Sequence, residues 1–223
     1  MTAPGVPRSR KGVESRARLV ASAKLVFEEA GFLEARISDI AERADLSHGS
    51  FYHYFDSKEQ VFREVAELQE AHLTAPADDE AEDEADGATA PTERERLHRA
   101  NLRYLRRYRE NGRIMGVIEE VSRYDDHVNQ ARMRRQKHYA DRAEKAIRRL
   151  QDAGAADPAV DPEIAALALG SMVARLAELW IVDGWGDFDI DQVAEQTTRL
   201  WANAIGLQEP APAPPRPRRR PKP

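Results

Sequence analysis

The segment SDIAERADLSHGSFYHYF, residues 38–55, decides the fold of this 223-residue chain. It predicts two short helices that meet at a tight turn. Asp45 tolerates the left-handed conformation that such a turn needs, and Ser47 is a preferred N-cap for the second helix. Apolar residues follow helical spacing on both sides of the turn: Ile40, Ala41 and Ala44 before it, and Phe51, Tyr52 and Phe55 after it. This pattern is typical of a helix-turn-helix.

The second helix begins with polar residues, which favours DNA binding. In a helix-turn-helix, these first turns face base edges and phosphates in the major groove. Gly49 would weaken an ordinary helix, but it permits a close approach of the backbone to a phosphate. Lys58 is a cation at the start of the next helix, where an anion is favoured. A plain helical hairpin within a bundle is the alternative interpretation.

The segment and its flanks closely resemble the TetR family of one-component repressors. The resemblance covers about the first 63 residues and rests on Ala30-Gly31-Phe32, Ile40-Ala41 with Ala44, the run from Leu46 to Phe55, and Ser57-Lys58-Glu59. Two residues depart from the family pattern. Arg36 replaces the usual Ser or Thr that caps the first motif helix, and Asp45 replaces the usual turn glycine. An arginine at position 36 can itself bind phosphate.

From the motif and the resemblance we predict nine DNA-binding residues. His48 and Ser50 are expected to contact bases, whereas Tyr52, His53 and Lys58 are expected to contact phosphates. The full set is Arg36, Ser38, Ser47, His48, Gly49, Ser50, Tyr52, His53 and Lys58. The partner would be double-stranded DNA with a pseudo-palindromic operator. A helical interaction protein without sequence-specific DNA binding is the second hypothesis, and an enzyme is the third.

Composition narrows the class of protein. The net charge is −5, but residues 1–20 carry +4 while residues 78–86 hold seven acids and no base, so DNA binding would depend on local charge. The chain has no cysteine, which excludes disulfides and thiolate sites. Its six histidines lack the spacing of a metal or catalytic set. We expect neither a cofactor nor enzymatic activity. We also expect no membrane-spanning run or signal segment, and hence a cytoplasmic, nucleoid-associated protein.

The periodicity predicts an all-α protein, in which a three-helix helix-turn-helix domain precedes a helical bundle. Its divisions are a disordered basic arm at 1–12, the DNA-binding domain at 13–57 and an effector-binding and dimerisation domain at 58–207. An acidic linker at 74–91 interrupts the last of these. Residues 208–223 are rich in Pro and Arg and are expected to form a disordered tail.

Two helices near the end of the chain are expected to mediate homodimerisation. The helix 162–182 is apolar on two faces, and one domain core can hide only one of them. In the family that the chain resembles, the last two long helices of each subunit pair with their copies to form a four-helix dimer interface. The predicted interface residues are Leu169, Val173, Ala177, Trp180, Thr197, Leu200, Trp201 and Ala204.

A small-molecule effector is expected to bind among the middle helices and to release the operator. The candidates are side chains that are large, partly polar or pliable: Tyr104, Tyr108, Met115, Ile118, Tyr139, Met172 and Trp180. Each of them also fits an ordinary core position. No buried cluster of arginines or acids is assignable from the sequence, so we expect an apolar or aromatic effector.

Overall fold

The computed structural model describes residues 9–75 and 91–208, and within them the chain is all-α. The predicted terminal arm before Ser9, most of the acidic linker (76–90) and the tail from residue 209 lie outside the described residues. The helices are α1 (Arg10–Glu34), α2 (Ile37–Arg43), α3 (His48–Phe51), α4 (Lys58–Thr74), α5 (Glu93–Glu110), α6 (Gly112–Val121), α7 (Asp126–Asp152), α8 (Pro162–Ala177) and α9 (Ile190–Ala204). A π-helical turn, Glu178–Val182, continues α8.

Helix α1 begins earlier than the sequence indicated. The side chain of Ser9 accepts a hydrogen bond from the Gly12 amide, so the helix starts at Arg10 and residues 10–12 of the predicted arm are helical. Near its other end Gly31 has φ of +73°, which breaks the helical geometry there.

The helix-turn-helix forms around a buried aromatic cluster. Phe27 on α1 meets Phe62 on α4 edge to face, with ring centroids 4.9 Å apart, and Phe32 packs on both rings. Phe51 and Phe55 are fully buried. Each such side chain contributes roughly 1.5–3 kcal/mol by leaving water, so these aromatics fix α1, α3 and α4 as one unit.

Helix α4 joins the two parts of the protein. It packs against α1 on one side and α7 on another. Ion pairs connect α4 to α7 and to Asp125, the N-cap residue of α7. They include Arg63–Asp125, Glu67–Arg134 and Glu70–Arg135. The first two are partly exposed, whereas Glu70 and Arg135 are both buried. A displacement of α4 would therefore change its contacts with both α1 and α7.

Five of the eight predicted dimerisation residues are buried within the single chain, which corrects the assignment of faces on α8 and α9. They are Val173, Ala177, Trp180, Thr197 and Trp201. Helix α8 packs on α7 and α9 packs on α5, and each helix turns these residues inward. The Thr197 hydroxyl bonds to the carbonyl of Val193 at 2.8 Å, which satisfies it inside the core. Leu169 is half-buried, whereas Leu200 and Ala204 remain exposed.

The exposed apolar face of α8 is the other one. Ile164, Leu167, Ala168 and Ser171 follow helical spacing, and all four are exposed. The segment Pro162–Val182 is also long and apolar enough to cross a membrane by length and composition, with a mean hydropathy of 1.6. The expectation that no run reaches that length was therefore wrong. The segment has this high hydropathy because it is apolar on two faces. Only the face with Val173, Ala177 and Trp180 belongs to the core.

Two glycines allow α6 to approach the π-helical turn closely. A Cβ built on Gly112 would lie 2.8 Å from Cγ2 of Ile181, and one on Gly116 would lie 2.9 Å from Cγ1 of Val182. Both distances are shorter than a carbon–carbon contact. The small residues are therefore required by packing rather than by a special backbone conformation.

We expect Gly116→Ala to lower the free energy of unfolding by about 1–3 kcal/mol, because the new methyl group overpacks against the stiff Val182. Gly170→Ala is the matched control, since nothing lies within 4 Å of the position that its methyl group would take on α8. That change should be neutral or raise stability by up to about 1 kcal/mol. Chemical unfolding at one fixed protein concentration measures both, and equal effects would contradict the packing argument.

Candidate nucleic-acid interface

The turn before α3 has the conformation that the sequence predicted. Asp45 has φ of +54°, a left-handed conformation that aspartate tolerates. Ser47 caps α3, because its Oγ accepts a hydrogen bond from the Ser50 amide at 3.2 Å. These two residues set the direction of α3 relative to α2.

Seven of the nine predicted DNA-binding residues are exposed, and they gather around α2 and α3. They are Arg36, Ser38, Ser47, His48, Gly49, Tyr52 and His53. Ser50 is half-buried and its Oγ lies 2.7 Å from that of Ser47. Phe51 is buried on the opposite side of α3, so the short helix has one anchored face and one polar face.

Helix α3 is shorter than the sequence suggested. It spans only His48–Phe51, and Tyr52 to Tyr54 form a turn. The His48 and Tyr52 rings meet edge to face with centroids 5.5 Å apart. Tyr52 is 47% exposed, which leaves its hydroxyl end accessible to solvent. The polar surface is thus built by one helical turn and the turn that follows it.

Arg36 occupies the N-cap position of α2 but makes no capping hydrogen bond with its side chain. Asp39 lies in the first turn of α2 and accepts a hydrogen bond from Ser38 Oγ at 3.0 Å. The exposed guanidinium therefore does not replace the cap that a Ser or Thr would supply. It is exposed at the start of α2, where it adds positive charge.

Lys58 has partners that the sequence did not reveal. Its Nζ donates to the carbonyl oxygens of Phe32, Leu33 and Ala35 at 2.7, 3.0 and 3.0 Å. It also lies over the Phe32 ring, 4.8 Å from the centroid. The cation at the start of α4 is therefore stabilised by the carbonyl groups at the end of α1. Lys58 therefore does not need a phosphate to stabilise its charge at the start of α4. A phosphate contact at Lys58 stays a prediction.

The predicted effector residues lie in or against the core of the second part of the chain. Tyr104, Tyr108, Met115, Ile118 and Trp180 are buried, and Tyr139 and Met172 are half-buried. Tyr104 and Tyr139 meet edge to face with centroids 5.4 Å apart, and Tyr108 packs beside Tyr104 at 5.9 Å. The three tyrosines form one group on α5 and α7.

Buried charges lie beside these tyrosines, and the sequence did not reveal them. Glu70 on α4, Glu119 on α6 and Arg135 on α7 are each less than 10% exposed. In the sequence they stand among many charged residues on amphipathic helices, so their burial carried no signal there. Burial raises the pKa of both Glu70 and Glu119. Burial also raises the pKa of Tyr104 to about 12, so this hydroxyl stays neutral at pH 7.

Two family models match the chain. The model described as "Bacterial regulatory proteins, tetR family" matches residues 19–65, and the model described as "Tetracyclin repressor-like, C-terminal domain" matches residues 90–205, just over half of the sequence. The HTH-type transcriptional regulator YdgC of Bacillus subtilis (strain 168) is 47% identical over 55 residues, 25% of this chain and 28% of that protein. The chain thus matches less than a third of this relative's length.

Solved structures of regulators have the same fold. A TetR-family regulator of Mesorhizobium loti has a TM-score of 0.67 and 15% identity, over 88% of this chain and 98% of that one. FadR of Bacillus subtilis, solved with stearoyl-CoA, has a TM-score of 0.66 and 15% identity, over 85% of this chain and 98% of that one.

A substitution at Gly49 can distinguish an effect on stability from an effect on DNA binding. No atom lies within 4 Å of a Cβ built there, and its φ is not in the left-handed region, so Gly49→Ala should be tolerated and stabilise α3 by up to about 1 kcal/mol. If the backbone approaches a phosphate at Gly49, affinity for operator DNA should nevertheless fall about tenfold, or about 1.4 kcal/mol. Unfolding curves and fluorescence anisotropy test this, with Arg148→Ala, an exposed change on α7, as control. Unchanged affinity would remove Gly49 from the interface.

Proposed function

Because this chain belongs to the TetR family of bacterial regulatory proteins, we propose that it is a transcriptional repressor whose DNA binding is released by a small molecule. The members of the family are DNA-binding transcription regulators rather than enzymes. The observation that carries the proposal is the polar surface at α3, where His48 and Gly49 are exposed on a helix anchored by Phe51, and Tyr52 and His53 are exposed on the turn that follows it. A regulator of this kind would act in the cytoplasm, at the nucleoid.

The polar surface suits the major groove. Hydrogen bonds from His48 and Ser50 would read base edges, and Tyr52, His53 and Arg36 would hold the phosphates on either side. Lys58 would have to give up a bond to a carbonyl of α1 in order to join them. A pair of such surfaces related by a two-fold axis would fit a pseudo-palindromic operator, with half-sites one helical turn or its multiple apart.

The two-fold axis is proposed to pass between copies of α8 and α9. Large apolar side chains stay exposed there in the single chain, with Ile164 at 69%, Leu167 at 59% and Leu200 at 52%. Ala168, Ser171 and Ala204 are small and exposed on the same helices, which permits close helix packing. A second copy of the same surface would bury this apolar area.

The effector is proposed to bind among α4, α5, α6 and α7, next to Tyr104, Tyr108, Met115 and Ile118. Stearoyl-CoA bound to FadR of Bacillus subtilis supports the idea that a fold of this type holds a ligand with an apolar chain. The ligand would favour a conformation in which the two polar surfaces no longer match the half-site spacing. A preference of a few kcal/mol is sufficient to change which conformation dominates.

The protein should bind a short pseudo-palindrome in the regulated region, with affinity that falls steeply as salt increases. Arg36→Ala should weaken binding to all duplexes and reduce the slope of log K against log salt by about one, whereas His48→Ala should relax base preference at one position of each half-site. Arg148→Ala, an exposed change on α7, is the matched control. Footprinting and anisotropy give both quantities. No preference for any sequence over random duplex would exclude the repressor assignment.

Leu167→Glu combined with Leu200→Glu should give monomers that have lost operator affinity, because each subunit would bury two charges in place of leucines worth roughly 1.5–3 kcal/mol each. Met133→Glu, on the exposed side of α7 at 52% exposure, is the control and should leave the oligomeric state unchanged. Sedimentation velocity measures the mass. A double variant that remains dimeric would place the interface elsewhere.

A further inference from the structure

A buried polar cluster lies where α4, α5, α6 and α7 converge. It consists of Glu70, Tyr104, Tyr108, Glu119 and Arg135, one or two residues from each helix. Arg135 lies between the two carboxylates, with its Nε 3.0 Å from Glu70 Oε2 and its Nη2 3.9 Å from Glu119 Oε1. All five residues are more than nine-tenths buried.

The cluster contains polar atoms without hydrogen-bond partners among the described residues. They are the hydroxyls of Tyr104 and Tyr108, Nη1 of Arg135 and both carboxylate oxygens of Glu70. Arg135 Nε lies 3.0 Å from Glu70 Oε2, close enough for an ion pair but not aligned as a hydrogen bond. Leaving such groups unsatisfied is costly, which favours a site that binds something polar over an ordinary core.

The two carboxylates are not held equally. Glu119 accepts a hydrogen bond from Arg132 Nε at 2.9 Å and lies 3.9 Å from Arg135 Nη2. Glu70 has only its misaligned pair with Arg135. An incoming acceptor would therefore compete with Glu70, and Arg132 would keep Glu119 in place.

The unsatisfied donors define the chemistry of the ligand. One guanidinium nitrogen and two hydroxyls are buried donors without a partner, and arginine is the side chain best suited to a carboxylate. Next to them lie apolar side chains: Leu105, Ile114, Met115 and Ile118 are fully buried on α5 and α6. We infer that the effector in the proposed function is a carboxylic acid with an apolar body, whose carboxylate takes Arg135 from Glu70.

Charge balance is consistent with this exchange. The cluster with Arg132 contains two acids and two arginines, so a bound carboxylate adds one negative charge. Glu70 is the group able to take up a proton in compensation, because burial raises its pKa and, unlike Glu119, its carboxylate accepts no hydrogen bond from an arginine among the described residues. The negative charges of Glu119 and Glu67 also raise the pKa of Glu70, whereas the positive charges of Arg135 and Arg132 lower it. A neutral Glu70 would no longer attract α7.

The exchange connects the ligand to the DNA-binding residues through α4. Glu70 lies three turns along the helix whose first residue, Lys58, holds the end of α1. Loss of the Glu70–Arg135 pair removes the buried ion pair between α4 and α7. The bound ligand thus favours a displaced α4 and a different position of the polar surface at α3.

Two matched series test the ligand class on DNA-free protein: decanoic acid, decanamide and decylamine, and 4-phenylbutyric acid with its amide and amine. Calorimetry should show that at least one acid binds about tenfold or more tightly than its amide and amine. Tyr104→Phe with Tyr108→Phe should weaken the acid about tenfold while raising the melting temperature, because unsatisfied hydroxyls are removed. A structural role alone would change only the stability. An acid that binds no better than its amide overturns the proposal.

The coupling is tested without any ligand. Glu70→Gln, which imitates the neutral state, should lower operator affinity about tenfold, a typical coupling between sites. Glu67→Gln breaks the exposed pair with Arg134 between the same two helices and should change it little. Wild-type affinity in Glu70→Gln overturns the proposed exchange even if an acid binds. A wild-type protein that binds acids but no operator refutes the repressor assignment instead, so the two failures are distinguishable.

Discussion

The position of α4 is the constraint on which the rest of this structure depends. A single helix of 17 residues packs on α1 through apolar and aromatic side chains and on α7 through ion pairs. The first contact is strong and nondirectional, since it removes aromatic rings from water. The second includes directional polar pairs, one of which is buried. In the proposed mechanism, α4 stays fixed to the DNA-binding part and its contact with α7 is the one that changes.

The same contrast appears at the two ends of α4. At its first residue, Lys58 satisfies three carbonyls that the end of α1 leaves open, and this bond keeps α1 and α4 together. Near the other end, Glu70 is buried beside an arginine without a well-aligned hydrogen bond. Breaking a buried pair by removing one partner typically costs about 3–5 kcal/mol, whereas exchanging one partner for another costs far less. A buried pair of this kind suits a site of regulation.

The core and the proposed dimer interface use different faces of α8. The face with Val173, Ala177 and Trp180 completes the core, whereas Ile164 and Leu167 on the other face are exposed in the single chain. The sequence contains both stripes at helical spacing, and neither is more apolar than the other in a way that decides which turns inward. Only the packing of α8 on α7 makes that choice, because it fixes the rotation of the helix.

The sequence by itself determined the all-α class, the helix-turn-helix with its Asp45 turn and Ser47 cap, and the polar residues that face outward from α3. These features are local, since capping, turn conformation and helical periodicity depend on residues within a few positions of each other. Tertiary structure alone decided the partners of Lys58, the inward face of α8 and the burial of Glu70, Glu119 and Arg135. Each depends on contacts between helices far apart in the chain, and a charged residue on an amphipathic helix carries no local sign of whether it will be buried.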